Sequence, residues 1–193
     1  IRDRPWVPAL VCVTFFAVVN LARVRGFGEF EFWFAFIKIA VIVGFLLIGL
    51  ALIFGLLPGH TFVGTEHFLG DGFMPNGWPG VAAGLLAVAF AFGGIEIVTI
   101  AAAESEEPAH SIRTAVRSVI WRIGLFYIGS VLVITFLLPF SEIQGAETAA
   151  ESPFTMVLGM ADIPAVVGFM EVVIVLSLLS AFNAQIYASS RMV

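Results

Sequence analysis

The sequence predicts an all-α integral membrane protein, a polytopic helical bundle, and three observations support this fold class. Apolar residues make up 60% of the chain, charged residues only 12%, and the mean hydropathy is +1.05. The apolar residues fall into runs of about 20, which match the thickness of the hydrocarbon core. Five of the eight arginines lie in alternate connections between these runs, while Arg2 and Arg4 precede the first run and Arg191 follows the last. Soluble globular domains carry about 25% charged residues, so a soluble protein is excluded.

Five transmembrane helices are predicted, because only a helix satisfies its own backbone polar groups inside hydrocarbon. The whole chain, residues 1–193, is interpreted as one partial transmembrane domain. It begins with Ile and ends just after Arg191, where a loop should begin, which we interpret as a fragment. The second run is long enough to tilt, although length alone does not fix the tilt. The predicted spans cover residues 6–22, 31–57, 80–103, 118–140 and 164–190.

The distribution of arginine predicts the orientation of these helices. The connections at 23–30 and 104–122 carry five arginines, whereas those at 58–79 and 141–163 carry acidic residues and no Lys or Arg. By the positive-inside rule, the arginine-bearing connections face the cytoplasm, so the first helix runs from outside to inside. The expected location is therefore the cytoplasmic (inner) membrane, crossed several times.

The connections carry their own local signals. Residues 58–79 are rich in Pro and Gly, which predicts an irregular outer loop. Pro108 ends the third helix, and Ser111 is predicted to cap an amphipathic helix that lies on the membrane surface and continues into the fourth span. Ser152-Pro153 predicts the start of a short outer helix within residues 151–160.

An acid and two glycines interrupt the apolar run FAFGGIEIVTI at residues 90–100. Glu96 lies about midway along the third helix, where a charged carboxylate costs a few kcal/mol and usually marks an ion or substrate path. The alternative is a protonated side chain hydrogen-bonded to a neighbouring helix. Gly93-Gly94 either allows close helix packing or lets the helix unwind where it lines a cavity.

Lys38 and a polar stretch of the last helix are the other candidates. Lys38 lies about eight residues from the cytoplasmic edge, roughly 12 Å deep. Its ammonium either snorkels to the interface or points into the bundle, where desolvation allows it to lose its proton. Ser180 and Asn183 are three residues apart and share a helix face, and polar contact between helices is the alternative to a binding role.

Other functional classes have no support in the sequence. The single Cys12 excludes a disulfide framework. His60, Glu66, His67 and Asp71 share one outer loop, but their spacing fits no metal signature, so neither a metal nor a cofactor is predicted. No catalytic motif is present, so the chain is not predicted to be an enzyme. The basic runs are too sparse for a nucleic-acid interface, and no nucleic acid is expected as a partner.

Several motifs together resemble a known family. FGGIEIVTIAAAES at 92–105, SVIWRI at 118–123 and FYIGS at 126–130 resemble bacterial amino-acid permeases of the amino acid-polyamine-organocation superfamily. GEFEFWFAFIK, which ends at Lys38, is similar to the fifth helix of that family, and the segment from Asn183 to Arg191 to its eighth. The resemblance covers nearly the whole chain, and EIVTIAAAES is especially similar to gamma-aminobutyrate permeases.

The resemblance implies a twelve-helix transporter with a LeuT-like inverted-repeat fold, of which this chain forms helices four to eight. It implies secondary transport of amino acids by alternating access, with gamma-aminobutyrate as one candidate substrate. By the same resemblance, a substrate-binding helix break comprises Phe92, Gly93, Gly94, Ile95 and Glu96. Ion coupling would involve Lys38, Glu96 and Ser180, with Asn183 on the same polar face as Ser180.

The resemblance also implies proton coupling, because Lys38 occupies the place where sodium-coupled relatives bind a cation. Ser180 is followed by Ala181, and Asn183 by Ala184, where many members carry hydroxyls, which weakens a sodium site further. The expected partners are an amino acid, the proton and the lipid bilayer. Two alternatives remain: an exchanger or facilitator of the same fold, and a non-transporting membrane protein that senses amino acids.

Overall fold

The structure, a computed structural model, describes residues 6–21, 27–70, 72, 74–91, 107–143 and 148–191. Every regular element in these ranges is helical, which confirms the predicted all-α class. The α-helices are α1 (Trp6–Leu21), α2 (Phe27–Ile53), α3 (Glu66–Gly70), α4 (Gly77–Ala91), α5 (Pro108–Arg122), α6 (Gly129–Leu137), α7 (Pro153–Gly159) and α8 (Val166–Arg191). Short 3₁₀ turns lie at Phe140–Glu142 and Ala149–Glu151.

Three helical stretches of the described residues are long and apolar enough to cross a membrane. They are Phe32–Ile53, Pro108–Leu137 and Val166–Ile186, and they overlap the second, fourth and fifth predicted spans. Two shorter apolar stretches, Trp6–Val18 and Gly77–Phe90, lie in α1 and α4. The third predicted span, 80–103, is described only as far as Ala91.

The amphipathic helix that continues into the fourth span begins one turn earlier than the sequence predicted. Glu107 is the N-cap residue and Pro108 the first helical residue, so Ser111 lies inside α5 and is not the cap. The amide of Ser111 donates to the carbonyl of Glu107 at 3.0 Å. Proline suits this first position because its fixed φ is helical and its missing amide hydrogen would have no partner within the helix.

A π-helical segment, Ile123–Ile128, joins α5 to α6 without a break in the helix. The residues at its two ends, Arg122 and Gly129, both have right-handed helical dihedral angles. A π-segment holds one extra residue in a helical turn, and such segments are rare and often lie at functional sites. The sequence analysis did not predict this segment.

The chain divides into two compact units, one comprising residues 1–39 and 173–193 and the other residues 40–172. The core of the second unit lies where the outer half of α2 meets α6 and α7. Phe45 and Leu52 of α2 are buried, as are Val133 and Leu137 of α6 and Val157 of α7. Along α2 the buried residues Phe45, Gly49 and Leu52 are spaced by four and three residues, and along α6 Leu137 follows Val133 by four, so each of these helices contributes one face to the core.

Glycine allows α2 and α6 to approach closely. A Cβ atom at Gly49 would overlap the side chain of Val133, and one at Gly129 would lie 3.2 Å from Leu46 Cδ2. In lipid the hydrophobic effect does not drive helices together, so their association depends on van der Waals packing. Small residues at the contact allow the helices to approach closely enough for this packing. Nearby, the rings of Phe45 and Phe154 lie 4.9 Å apart and attach α7 to the same core.

A glycine ends α2 at the end that the arginine distribution predicts to face outward. Gly55 has φ +63°, and its amide donates to the carbonyl of Leu52 at 3.0 Å while the amide of Leu56 donates to Ala51 at 2.8 Å. This pair of hydrogen bonds is the Schellman motif, which satisfies the last carbonyls of a helix. The chain then turns back, and the amide of Val63 donates to the carbonyl of Ile53 at 3.1 Å.

The outer loops are packed and contain regular structure. The loop that the sequence predicted as irregular contains α3, whose Phe68 ring stacks on Phe136 at 4.8 Å. The short outer helix predicted after Ser152-Pro153 is confirmed as α7, with Ser152 as its N-cap residue. Beneath it, the hydroxyl of Thr155, which is 1% exposed, donates to the carbonyl of Ala149 at 2.8 Å.

Candidate functional site

Lys38 lies on α2 within the first unit, in a stretch that is otherwise apolar. It is the only charged residue between Phe32 and Ile53, and its side chain is half-buried. It has an interaction partner in the structure. The helix is regular from Phe27, so Lys38 lies about 16 Å along the axis from the inner end of α2. A charged side chain within a membrane-spanning helix is costly unless neighbouring groups balance its charge.

The polar face of α8 lies in the same unit. Asn183 is 5% exposed and has an interaction partner, while Ser180 is half-buried. The two residues are three apart on one continuous helix, so they lie on the same face, as the sequence predicted. Next to Asn183, the ring of Phe182 packs edge to face on Phe16 of α1, with ring centroids 5.9 Å apart. This contact attaches α8 to α1.

The predicted substrate segment lies outside the described residues. Phe92, Gly93, Gly94, Ile95 and Glu96 follow directly on the described part of α4, which ends at Ala91. Their proposed contact with substrate, and the part of Glu96 in ion coupling, therefore stay predictions. Of the predicted site residues, the structure brings Lys38, Ser180 and Asn183 into one compact unit.

Two cavities open among the outer loops of the second unit, and neither has the chemistry of an amino-acid site. Their volumes are about 200 and 210 Å³. A zwitterion needs partners for both its ammonium and its carboxylate, yet His67 is the only titratable residue in either lining. The first is lined by His67, Phe68, Gly72, Pro75, Thr135, Leu138, Phe140 and Ile143, and the second by Met74, Pro75, Asn76, Gly77, Gly80, Val81 and Phe140.

His60, in the loop at 58–79, lies within hydrogen-bonding distance of two backbone carbonyl oxygens. His60 Nε2 lies 2.8 Å from the carbonyl oxygen of Met160, and Nδ1 lies 3.2 Å from that of Pro58. A ring nitrogen that faces a carbonyl oxygen must carry a proton to donate. Within the described ranges, no group of three His, Cys, Asp or Glu side chains is arranged to hold a metal ion. His60 therefore joins the outer loop to the turn after α7.

The sequence analysis missed two structural features of the fourth span. One is the π-segment in the fourth span, and the other is the burial of Ser130, which is only 5% exposed at the start of α6. A signal for the second was present, because Ser130 is a polar residue within a long apolar run. The π-segment has no comparable signal, since its sequence, IGLFYI, would equally suit an α-helix.

Comparison with known proteins gives consistent matches along the chain. The family model described as "Amino acid permease" matches residues 1–193. The aromatic amino acid transport protein AroP of Corynebacterium glutamicum is 75% identical over 191 residues, 98% of this chain and 41% of that protein. The gamma-aminobutyric acid permease of Bacillus subtilis is 40% identical over 193 residues, 99% of this chain and 40% of that protein.

A third relative, the lysine-specific permease LysP of Escherichia coli, is 35% identical over 196 aligned positions, 98% of this chain and 40% of that protein. The chain thus spans about two fifths of the length of the relatives it matches. No solved structure matches it. The names of these three relatives give different substrates, but each name describes a transport protein or a permease.

Proposed function

The chain belongs to the amino acid permease family, a family of multi-pass membrane transporters and not of enzymes, and on this premise we propose that the full-length protein carries amino acids across the cytoplasmic membrane. The family match confirms the resemblance drawn from the motifs at 92–105, 118–123 and 126–130. The chain covers about two fifths of its relatives, so the proposal concerns the whole permease and this segment contributes part of it.

Aromatic amino acids are the proposed substrates. The observation that carries this proposal is the 75% identity, over 98% of the chain, to a protein named as an aromatic amino acid transporter. That alignment extends through Lys38 and the segment from Phe92 to Glu96. Gamma-aminobutyrate is the second candidate, supported by the 40% identity to a permease named for it. Selectivity for one substrate over another also depends on helices outside this chain.

The proposed energy source is the proton gradient, with Lys38 as the group that carries the transported proton. An ammonium in the membrane interior repels a sodium ion placed within about 4 Å of it, so a sodium site and a charged Lys38 do not coexist. Release of the proton makes the side chain neutral, and alternate exposure of Lys38 to the two sides would then couple proton and substrate movement. Its location in one compact unit with Ser180 and the buried Asn183 supports this role.

Uptake by the full-length protein in proteoliposomes tests both parts of the proposal. Radiolabelled phenylalanine should accumulate when the outside is made acidic, and unlabelled tyrosine and tryptophan should compete, whereas gamma-aminobutyrate and lysine should not. Competition by gamma-aminobutyrate alone would favour the second candidate substrate. Stimulation by a sodium gradient without a proton gradient would overturn the proposed coupling, and counterflow that is independent of pH would favour an exchanger.

Lys38→Arg provides a sharp test of the proposed proton carrier. Arginine keeps the positive charge but does not release its proton, so uptake driven by the proton gradient should be lost. Lys38→Met should also lose it, because no group remains to carry the proton. Glu96→Gln distinguishes Lys38 from Glu96 as the proton carrier. Uptake by this variant should lose its response to the proton gradient only if the proton passes through Glu96. Unchanged proton-driven uptake in Lys38→Arg would overturn the role of Lys38.

A further inference from the structure

The inner end of the fourth span presents a basic face with an aromatic ring at its membrane end. His110, Arg113 and Arg117 of α5 are spaced by three and four residues, and Trp121 follows four residues later, so all four side chains lie on one face. All four are exposed, and Trp121 is 71% exposed. Apolar side chains occupy the opposite face of the helix, at Ile112, Val116 and Val119.

The length of the helix indicates where this face lies relative to the bilayer. The continuous stretch Pro108–Leu137 has 30 residues, whereas a hydrocarbon core of about 30 Å needs only about 20. The outer end is fixed at Leu137, because Leu138 is extended and Pro139 follows. Counting about 20 residues inward from Leu137 reaches Ser118. Arg117 is therefore at the inner boundary of the hydrocarbon, and Arg113 lies about 6 Å further along the axis.

The charge of this face is not balanced by its own helix. Residues 108–137 contain three arginines and no Asp or Glu. The layer in which Arg113 and Arg117 lie is that of the lipid phosphates, and guanidinium groups bind phosphate oxygens through paired, charge-assisted hydrogen bonds. Tryptophan favours the boundary between this layer and the acyl chains, where Trp121 lies. A soluble anion would not require the aromatic ring or the apolar opposite face.

We propose that Arg113 and Arg117 bind the phosphate of an anionic phospholipid in the cytoplasmic leaflet, with Trp121 packed beside its glycerol region. The site is separate from the transported substrate and rests on the length and orientation of the fourth span. The lipid would fix the depth of α5 in the membrane. Protein packing does not do this in the structure, because none of the described residues of α5 is buried. The two arginines are one helical turn apart, a spacing that lets both contact one phosphate group or two adjacent ones.

A lipid titration of the purified full-length permease tests this proposal. Native mass spectrometry in detergent would give the affinity for phosphatidylglycerol relative to phosphatidylcholine. The double variant Arg113→Gln/Arg117→Gln should lower the preference for phosphatidylglycerol about 30-fold, the effect expected from two arginines near a lipid surface. The double variant Arg113→Lys/Arg117→Lys keeps the charge and should retain most of the preference, which separates loss of binding from loss of fold.

Arg122→Gln is the control for position, because it removes one arginine charge from the same helix on a different face, where each arginine of the proposed site is expected to account for about a fivefold loss. Arg122 is five residues from Arg117 and so lies about 140° away around the helix, outside the proposed site. It should leave the preference for phosphatidylglycerol within about twofold of the unmodified protein. An equal loss in Arg122→Gln, or no loss in the glutamine double variant, would overturn the proposal.

Two further measurements identify the ligand and keep the proposal distinct from transport. Inorganic phosphate at millimolar concentration should not displace phosphatidylglycerol, and displacement would assign the site to a soluble anion and overturn the lipid proposal. Uptake in phosphatidylcholine vesicles should show the same substrate preference with and without the glutamine double variant. A change in substrate preference there would place the arginines in the transport site and contradict the lipid site.

Discussion

The outer and inner parts of the fourth span belong to one helix, yet they differ in what surrounds them. The outer part, α6, buries Ser130, Val133 and Leu137 against the core of the second unit. The inner part, α5, and the π-segment between them have no buried residues among those described. Glycine contacts with α2 begin at Gly129, directly after the π-segment. The π-segment therefore lies at the point where helix packing gives way to exposed surface.

This difference shows that two kinds of interaction position the same helix. Close packing fixes the rotation of α6, because turning it would remove Val133 and Leu137 from the core. The rotation of α5 depends instead on which side chains favour water, headgroups or lipid, a weaker constraint set by its basic and apolar faces. The extra residue in the π-turn changes the rotation of α5 relative to α6. The core face of α6 and the basic and apolar faces of α5 can therefore each be oriented toward their own surroundings.

The largest effect is expected from single-residue deletions on the two sides of this boundary. Deletion of Leu132 in α6 rotates the residues after it by about 100° relative to those before it, so the core face is broken and folded protein should be lost. Deletion of Leu125 removes the extra residue of the π-turn and leaves an α-helix with both faces aligned, so folded protein should remain. The two leucines are matched, with 43% and 56% exposure.

The measurement for both deletions is the yield of monodisperse full-length protein after membrane extraction. The deletion of Leu125 also separates folding from function, because uptake can be measured in the variant that survives. Equal loss of folded protein in the two deletions would contradict the view that the π-segment separates two independently placed faces.

A smaller effect is expected from added methyl groups on α2. Gly49→Ala places a Cβ atom against Val133 and should destabilise the protein by about 1–3 kcal/mol, the range for overpacked sites. Gly44→Ala on the same helix meets no atom within 4 Å and should stabilise by up to about 1 kcal/mol through helix propensity. Apparent Tm values in detergent, taken at one heating rate, give the comparison. A lower Tm for Gly44→Ala than for Gly49→Ala would contradict the close contact of α2 with α6.

The smallest effect is expected from matched valine truncations in the two parts of the fourth span. Val133→Ala, at a site 3% exposed, leaves a cavity in the core and should cost about 1–2 kcal/mol. Val116→Ala, at a site 48% exposed on α5, should change stability by no more than about 0.5 kcal/mol. The same thermal measurement applies. Equal effects at the two sites would show that α5 is packed as firmly as α6 in the full-length permease.

Much of the fold was predictable because its signals are local. Apolar run length located the long helices, and Ser152-Pro153 located α7 to within a residue. The start of α5 was predicted four residues too late, because the preference of Ser111 for a cap was given more weight than the preference of Pro108 for the first helical position. The short helix α3 was missed, since five residues within a Pro- and Gly-rich loop give no periodic pattern.

The site was predictable only in part, for a physical reason. Lys38 and Asn183 were recognisable because a charge or amide inside an apolar run is costly, and the structure gives their placement and burial. Their roles, and those of Ser180 and the segment from Phe92 to Glu96, stay predictions. The π-segment could not be predicted because it depends on the different environments of α5 and α6, which local sequence does not encode. The contact of Gly129 with Leu46 could not be predicted because it depends on how α2 and α6 pack against each other.

The left-handed turn at Gly55 has a consequence for how the end of α2 is connected to the loop that follows it. The chain reverses there, and the amide of Val63 is hydrogen-bonded to the carbonyl of Ile53 in the last turn of α2, so residues 54–62 form a cap attached to the helix end. His60 attaches the same cap to the turn at Met160. A displacement of the end of α2 would therefore move this cap and, through His60, the turn at Met160 as well.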